Sequence, residues 1–98
     1  MTKDEVRRAV IEEIQRAQWA QTGESVHVSD VTSPLDDLLG FDSPLAEDVT
    51  GVILLRLGLP VKAIKSPFLR RSGTRYAAVG QIVDAFWNAY AQRIHANA

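Results

Sequence analysis

Val6, Val10, Ile14 and Ala17 recur at helical spacing, with Ala9 beside them, while Arg7, Arg8, Glu12, Glu13 and Arg16 fall mostly on other faces. Thr2-x-x-Glu5 in front of this run is a capping-box pattern. The two signals predict a first helix from about Lys3 to Ala20 that stops before Gly23. Trp19, near its end, is expected as a packing or edge residue. A second apolar series, Leu45, Val49, Val52, Ile53 and Leu57, follows Ser43-Pro44. Serine is a favoured N-cap and proline suits the first helical position, so Ser43 is expected to cap this helix. Glu47 and Asp48 place negative charge near its positive end, and Gly58 with Pro60 ends it. Gly51 inside it costs about 1 kcal/mol relative to alanine, which suggests close approach of a neighbour. A third series, Val79, Ile82, Val83, Phe86, Ala89 and Tyr90, predicts a last helix from Thr74 or Ala77 to His95.

The stretches between these helices are read from their breakers. Gln21 to Asp42 holds Gly23, Pro34, Gly40 and several Ser, Thr and Asp residues, and reads as a long connection. Val26-His27-Val28 alternates like a brief extended segment. Leu35, Leu38, Leu39 and Phe41 are expected to pin the loop to the core, since a connection of this length needs an anchor or a task. Val61 to Ser66 suggests a short helix before Pro67, and Arg70 to Thr74 a basic, glycine-containing turn. The fold class is all-α: a small three- or four-helix bundle with a long loop between helices one and two.

Composition narrows the functional classes. Ninety-eight residues, 46% apolar and 23% charged, make one globular domain, 1–98, expected to be monomeric. The absence of cysteine excludes disulfides, thiolate metal sites and a cysteine nucleophile. No apolar run approaches the ~20 residues of a membrane span. The charged N-terminus is not a secretory signal, so the expected compartment is the cytoplasm. Every charged residue from Glu24 to Asp48 is acidic, and every one from Val49 to Val83 is basic. Two surfaces that attract each other, or two patches for different partners, both fit this split.

Catalytic chemistry finds little support. His27 and His95 are isolated, no triad assembles, and there is no phosphate-binding glycine loop or metal-ligand spacing. The adjacent Asp36 and Asp37 read as solvated loop acids. The chain is therefore not expected to be an enzyme. Arg70, Arg71 and Arg75 before a helix suggest a helix-turn-helix, but an acidic central loop and a net charge of -1 argue against nucleic acid.

Leu38-Leu39-Gly40-Phe41-Asp42-Ser43 carries the sharper signal. This segment resembles the attachment motif of the acyl carrier protein family, Leu-Gly-x-Asp-Ser-Leu, whose serine carries a phosphopantetheine arm through a phosphodiester. A helix N-terminus suits a phosphate, and the arm brings its own thiol. The resemblance continues in order along most of the chain, through Ser66-Pro67-Phe68 and Ala78-Val79-Gly80-Gln81-Ile82-Val83. It implies a carrier of acyl or related thioesters, primed at Ser43 by a phosphopantetheinyl transferase and serving acyl-loading and acyl-accepting enzymes. Asp42 would help present Ser43, with Leu45, Glu47 and Asp48 as the first recognition surface. Arg70 and Arg71, with Arg56, Lys62, Lys65 and Arg75, depart from the family's pattern and are expected to form a separate face for a dedicated partner or an acidic surface. Leu39, Val49, Val52, Ile53 and Val83 are candidate walls for an acyl chain, although ordinary core is the better reading of them. Pro44 stands where the family has leucine, Ala78 where it has a capping serine or threonine, so Thr74 or Ser72 is expected to cap the last helix. The second helix is also less acidic than the family's. The alternative from another class is an unmodified helical interaction module.

Overall fold

The computed structural model describes residues 1–97. Its long helices are α1 (Lys3–Thr22), α3 (Ser43–Arg56) and α4 (Val79–Asn97), with a single turn, α2 (Pro34–Asp37), in the first connection. The chain is thus mostly helical and forms a small bundle in which α1 packs against both α3 and α4. At its N-terminus the capping box is complete: the Glu5 N–H donates to Thr2 Oγ1 at 3.2 Å, and the Thr2 N–H donates to Glu5 Oε1 at 3.0 Å. Gly23, at φ 75°, takes the left-handed turn that ends α1, and its N–H reaches the Trp19 carbonyl. Most of the predicted stripe of α1 is buried, with Ala17 half-buried, and so is most of that of α4; Val6, Val10, Ile14, Val79, Ile82, Val83 and Phe86 form the centre of the core.

Two expectations are corrected and one, the basic turn, is refined. Val61 to Ser66 forms turns rather than a helix, and the regular element here is a 3-10 turn at Pro67–Leu69. The segment has too few core-facing residues to drive a helix: Val61, Lys62, Ala63 and Lys65 are all exposed. The basic turn is a two-stranded hairpin, β1 (Arg71–Ser72) and β2 (Arg75–Tyr76), closed by Gly73 and Thr74 with Gly73 at φ 67°. Finally, neither Thr74 nor Ser72 caps α4. The loop backbone does so instead: the Val79 N–H donates to the Thr32 carbonyl at 2.8 Å and the Gly80 N–H to the Asp30 carbonyl at 2.9 Å. A Cβ on Gly80 would stand 3.4 Å from that same Asp30 oxygen, so the glycine admits the loop.

Side chains hold the first connection in place. Val28 and Phe41 are buried in the core, with Leu35 and Leu38 half-buried against it. Leu39 is not an anchor: it is 83% exposed, and only its carbonyl is held, by Gln18 Nε2 at 2.6 Å. Asp36 and Asp37 are not merely solvated. Asp36 Oδ2 accepts from the Tyr76 N–H at 2.8 Å and from the Ser33 hydroxyl at 2.9 Å. Asp37 accepts from the Ser33 N–H at 2.7 Å and from Arg75 Nη2 at 2.8 Å. These bonds clasp α2 to the hairpin. They also hold both carboxyls below their usual range, chiefly through the backbone donors, Tyr76 for Asp36 and Ser33 for Asp37.

Candidate functional site

Asp42, not Ser43, is the N-cap of α3. Its backbone is extended, and its Oδ1 accepts from the Leu45 N–H at 3.0 Å. Ser43 and Pro44 are the first two helical residues, and both are exposed. The aspartate wins the cap because it sits one residue earlier, directly after Phe41, whose buried ring fixes where the chain turns into the helix. Among the described residues the Ser43 hydroxyl has no hydrogen-bond partner within the protein, so it is free to face solvent. Few amides remain beside it. Pro44 has no N–H and that of Leu45 is taken by Asp42, which leaves the Ser43 N–H itself at this helix end.

The remaining expected site residues do not form one surface. Leu45 and Asp48 lie on the flank of α3 that faces α1, where they line a shallow apolar groove of about 310 Å³ with Ala17, Ala20, Val49 and Val52. Glu47 lies on the opposite flank. Its Oε1 accepts from the Ser66 hydroxyl at 2.7 Å, so it bridges α3 to the turn before Pro67. Ser66 itself has a left-handed backbone, φ 46°, an uncommon conformation for a residue other than glycine.

Between this flank and the 59–66 segment lies a larger groove of about 520 Å³, bordered by Glu47, Thr50, Gly51, Leu54, Ile64 and the two lysines Lys62 and Lys65. Gly51 opens onto it. Among the described residues no neighbour lies within 4 Å of where its Cβ would be, which overturns the expectation of close packing there. The expected walls of an acyl site fare poorly too. Val49, Ile53 and Val83 belong to the core, whereas Leu39 and Val52 are exposed, and the five residues do not border one cavity.

The separate basic face is also smaller than expected. Arg56 leaves it altogether, because its guanidinium reaches across to α1 and bonds Glu12 at 2.6 Å and the buried Glu13 at 2.9 Å. That pairing lowers the Glu12 carboxyl from its ordinary value and raises Arg56. Arg75 pairs with Asp37, so part of the charge split is internal attraction. Arg70, Arg71, Lys62 and Lys65 remain exposed. Of the two histidines, His27 is exposed on the loop and His95 in the last turn of α4. Among the described residues no group of His, Asp and Glu could hold a metal ion, and no helix is long and apolar enough to cross a membrane.

Sequence reading missed Gln18, which is fully buried and ties α1 to the loop just before Gly40. The signal was present: residue 18 follows Ile14 by four positions, so a polar side chain falls on the apolar stripe. No family model matches the chain, and neither a curated protein nor a solved structure matches it.

Proposed function

We propose that this protein is an acyl carrier protein-like domain whose Ser43 bears a phosphopantetheine arm. The observation that carries this reading is the division of labour at the start of α3. A serine at such a position ordinarily earns its place as the N-cap. Here Asp42 performs that task, and Ser43 is left exposed with its hydroxyl unused by the fold. The architecture supports this reading: three long helices, with a long pinned loop between the first two, bring the Asp-Ser pair to a helix start.

In this reading a phosphopantetheinyl transferase directs the Ser43 hydroxyl at the β-phosphorus of coenzyme A. The serine oxygen forms the new P–O bond, the bond to the 3′,5′-ADP leaving group breaks, and the hydroxyl proton passes to a base of the transferase. The carrier contributes the exposed oxygen on a rigid helix start, which lowers the cost of orienting it. Asp42 is occupied in capping and so presents Ser43 by fixing the turn. The groove beside Glu47, Gly51 and Leu54 begins one helical turn beyond the attachment point and would shelter a thioester-linked chain. A mid-helix glycine with open space in front of it is understandable if that space is used. Acyl-loading and acyl-accepting enzymes are the partners this function requires.

Intact-mass measurement after incubation with coenzyme A and a broad-specificity phosphopantetheinyl transferase tests the proposal. The expected result is one added phosphopantetheine on the wild type and none on Ser43→Ala. A folded wild type left unmodified by several such transferases would overturn it, leaving the chain as an unmodified interaction module.

A further inference from the structure

A second concavity lies apart from the grooves of α3. Pro67, Arg70, Arg71, Ala77 and Gln81 enclose about 240 Å³ between the 3-10 turn, the hairpin and the start of α4. Two arginine residues therefore border one small space. Arg56 and Arg75 neutralise carboxylates, but among the described residues neither Arg70 nor Arg71 has an acidic partner. Two cationic residues beside one concavity with no counter-charge favour an anion there.

The side chains are arranged as donors. Arg71 is held in place, with its guanidinium 4.2 Å over the Tyr76 ring and Nη2 donating to the Tyr76 hydroxyl oxygen at 2.8 Å. Tyr76 is fixed in turn by its N–H on Asp36 and its carbonyl on the buried Ser33. Much of the ordering cost of that arginine is therefore met before any ligand arrives. Gln81 spends its acceptor on the Ala78 N–H at 2.9 Å, so its amide Nε2 is what it has left to offer. The start of α4 adds little, because the Val79 and Gly80 amides are already bonded to loop carbonyls. Pro67 and Ala77 complete the lining with apolar surface.

We infer that this concavity binds a phosphate monoester. The Arg70 fork, the donors Arg71 keeps beyond its bond to Tyr76, and one amide suit the three terminal oxygens of a phosphate monoester better than the two of a carboxylate. The apolar walls suit the organic body of the ester. The inference does not depend on Ser43, and it can be tested on protein that carries no arm.

The test is a ¹⁵N NMR titration of the 98-residue chain carrying Ser43→Ala with phenyl phosphate, inorganic phosphate and acetate at constant ionic strength. Saturable shifts are expected at the Arg70 and Arg71 amides and the Gln81 side-chain amide, with phenyl phosphate binding roughly tenfold or more tighter than acetate. Arg71→Gln should weaken phenyl phosphate about tenfold, and Arg71→Lys, which keeps the charge but loses the planar fork, by several-fold. Arg70→Gln, at an exposed position outside the hairpin pairing, supplies a second loss variant whose fold is not at risk. Arg93→Gln, a remote charge control, should leave binding unchanged. Vesicles of phosphatidylcholine with and without phosphatidic acid separate a lipid headgroup from a soluble ester as the source of the phosphate. Equal binding of acetate and phenyl phosphate would overturn the inference. So would an equal loss in Arg93→Gln and Arg71→Gln, because attraction would then belong to the whole surface and not to this site.

Discussion

Phe41 and Phe68 hold their ring centroids 5.6 Å apart with planes tilted by 35°, both buried. The first lies just before Asp42 and the second just after Ser66-Pro67, so one aromatic contact fixes both the start of α3 and the turn that meets Glu47. Sequence separation makes this contact expensive to form and valuable once formed, since it closes the second half of the chain onto the loop before α3.

Phe68→Ala should therefore cost about 3–4 kcal/mol, in the range for loss of a buried phenyl ring. Urea denaturation measures the loss. Native-state hydrogen exchange should show faster opening at the Leu45 and Ala46 amides in the milder Phe68→Leu variant, which keeps most of the apolar volume. Unchanged protection there would mean that α3 is anchored independently of this ring.

Gly51 makes an opposite prediction. Its Cβ position is empty, and its φ is not in the left-handed region, so Gly51→Ala should stabilise the helix by about 1 kcal/mol. For a domain of this size that is a rise of roughly 4–8 °C in Tm, readable by circular dichroism. If the groove houses cargo, the stabilised variant should still be primed at Ser43 but should hold a bound chain less well. A fall in Tm would show that the glycine serves the backbone and not the groove.

The three long helices were legible because each buries a stripe with the helical period, and a local capping signal marks where the first one begins. The start of α3 was legible to within one residue, and that residue decided the meaning of the site. Ser43-Pro44 and Asp42-Ser43 are both good capping pairs in sequence. The choice between them was made by Phe41, a tertiary contact that propensity does not contain. Long-range pairing hid the rest. The cap of α4 comes from backbone carbonyls more than forty residues earlier, and Arg56 finds its carboxylates on α1. The hairpin is two residues per strand, too short for alternation to announce it, and its stability comes from Asp36 and Asp37 across the chain.

That clasp should be sensitive to acid. The folded carboxyls of Asp36 and Asp37 titrate below their unfolded values, so each contributes stability that is fully present above the ordinary carboxylate range. The contribution declines as pH falls below about 4 and is gone once the folded values have been passed. An NMR titration from neutral to about pH 2 should show the Tyr76 amide and Arg75 moving together at the acidic end. In Asp36→Asn with Asp37→Asn, the acid-dependent part of the melting temperature should shrink. A double variant as acid-sensitive as the wild type would place the acid-labile groups elsewhere.

The last prediction separates Asp42 from Ser43, whose neighbouring side chains have different work. Asp42→Ala removes the cap from the Leu45 amide and should cost about 1 kcal/mol, with some fraying of the first turn of α3. Ser43→Ala removes an exposed hydroxyl that bonds nothing within the described residues, and alanine is a better helix former at that position. Its stability should thus equal or slightly exceed that of the wild type. Pro44→Leu should also fold, since Asp42 sets the cap without the proline. Priming must then divide differently from stability: absent in Ser43→Ala, slowed in Asp42→Ala in proportion to fraying, and retained in Pro44→Leu. Asn at position 42 sharpens the comparison, because it keeps the capping geometry and removes the charge. Priming of Asp42→Asn at the wild-type rate would assign Asp42 a positioning role through the cap alone. A loss as large as that of Asp42→Ala, with stability restored, would assign it a direct contact with the transferase. If Ser43→Ala proves as destabilising as Asp42→Ala, the hydroxyl does structural work after all, and the reason for reading it as an attachment point disappears.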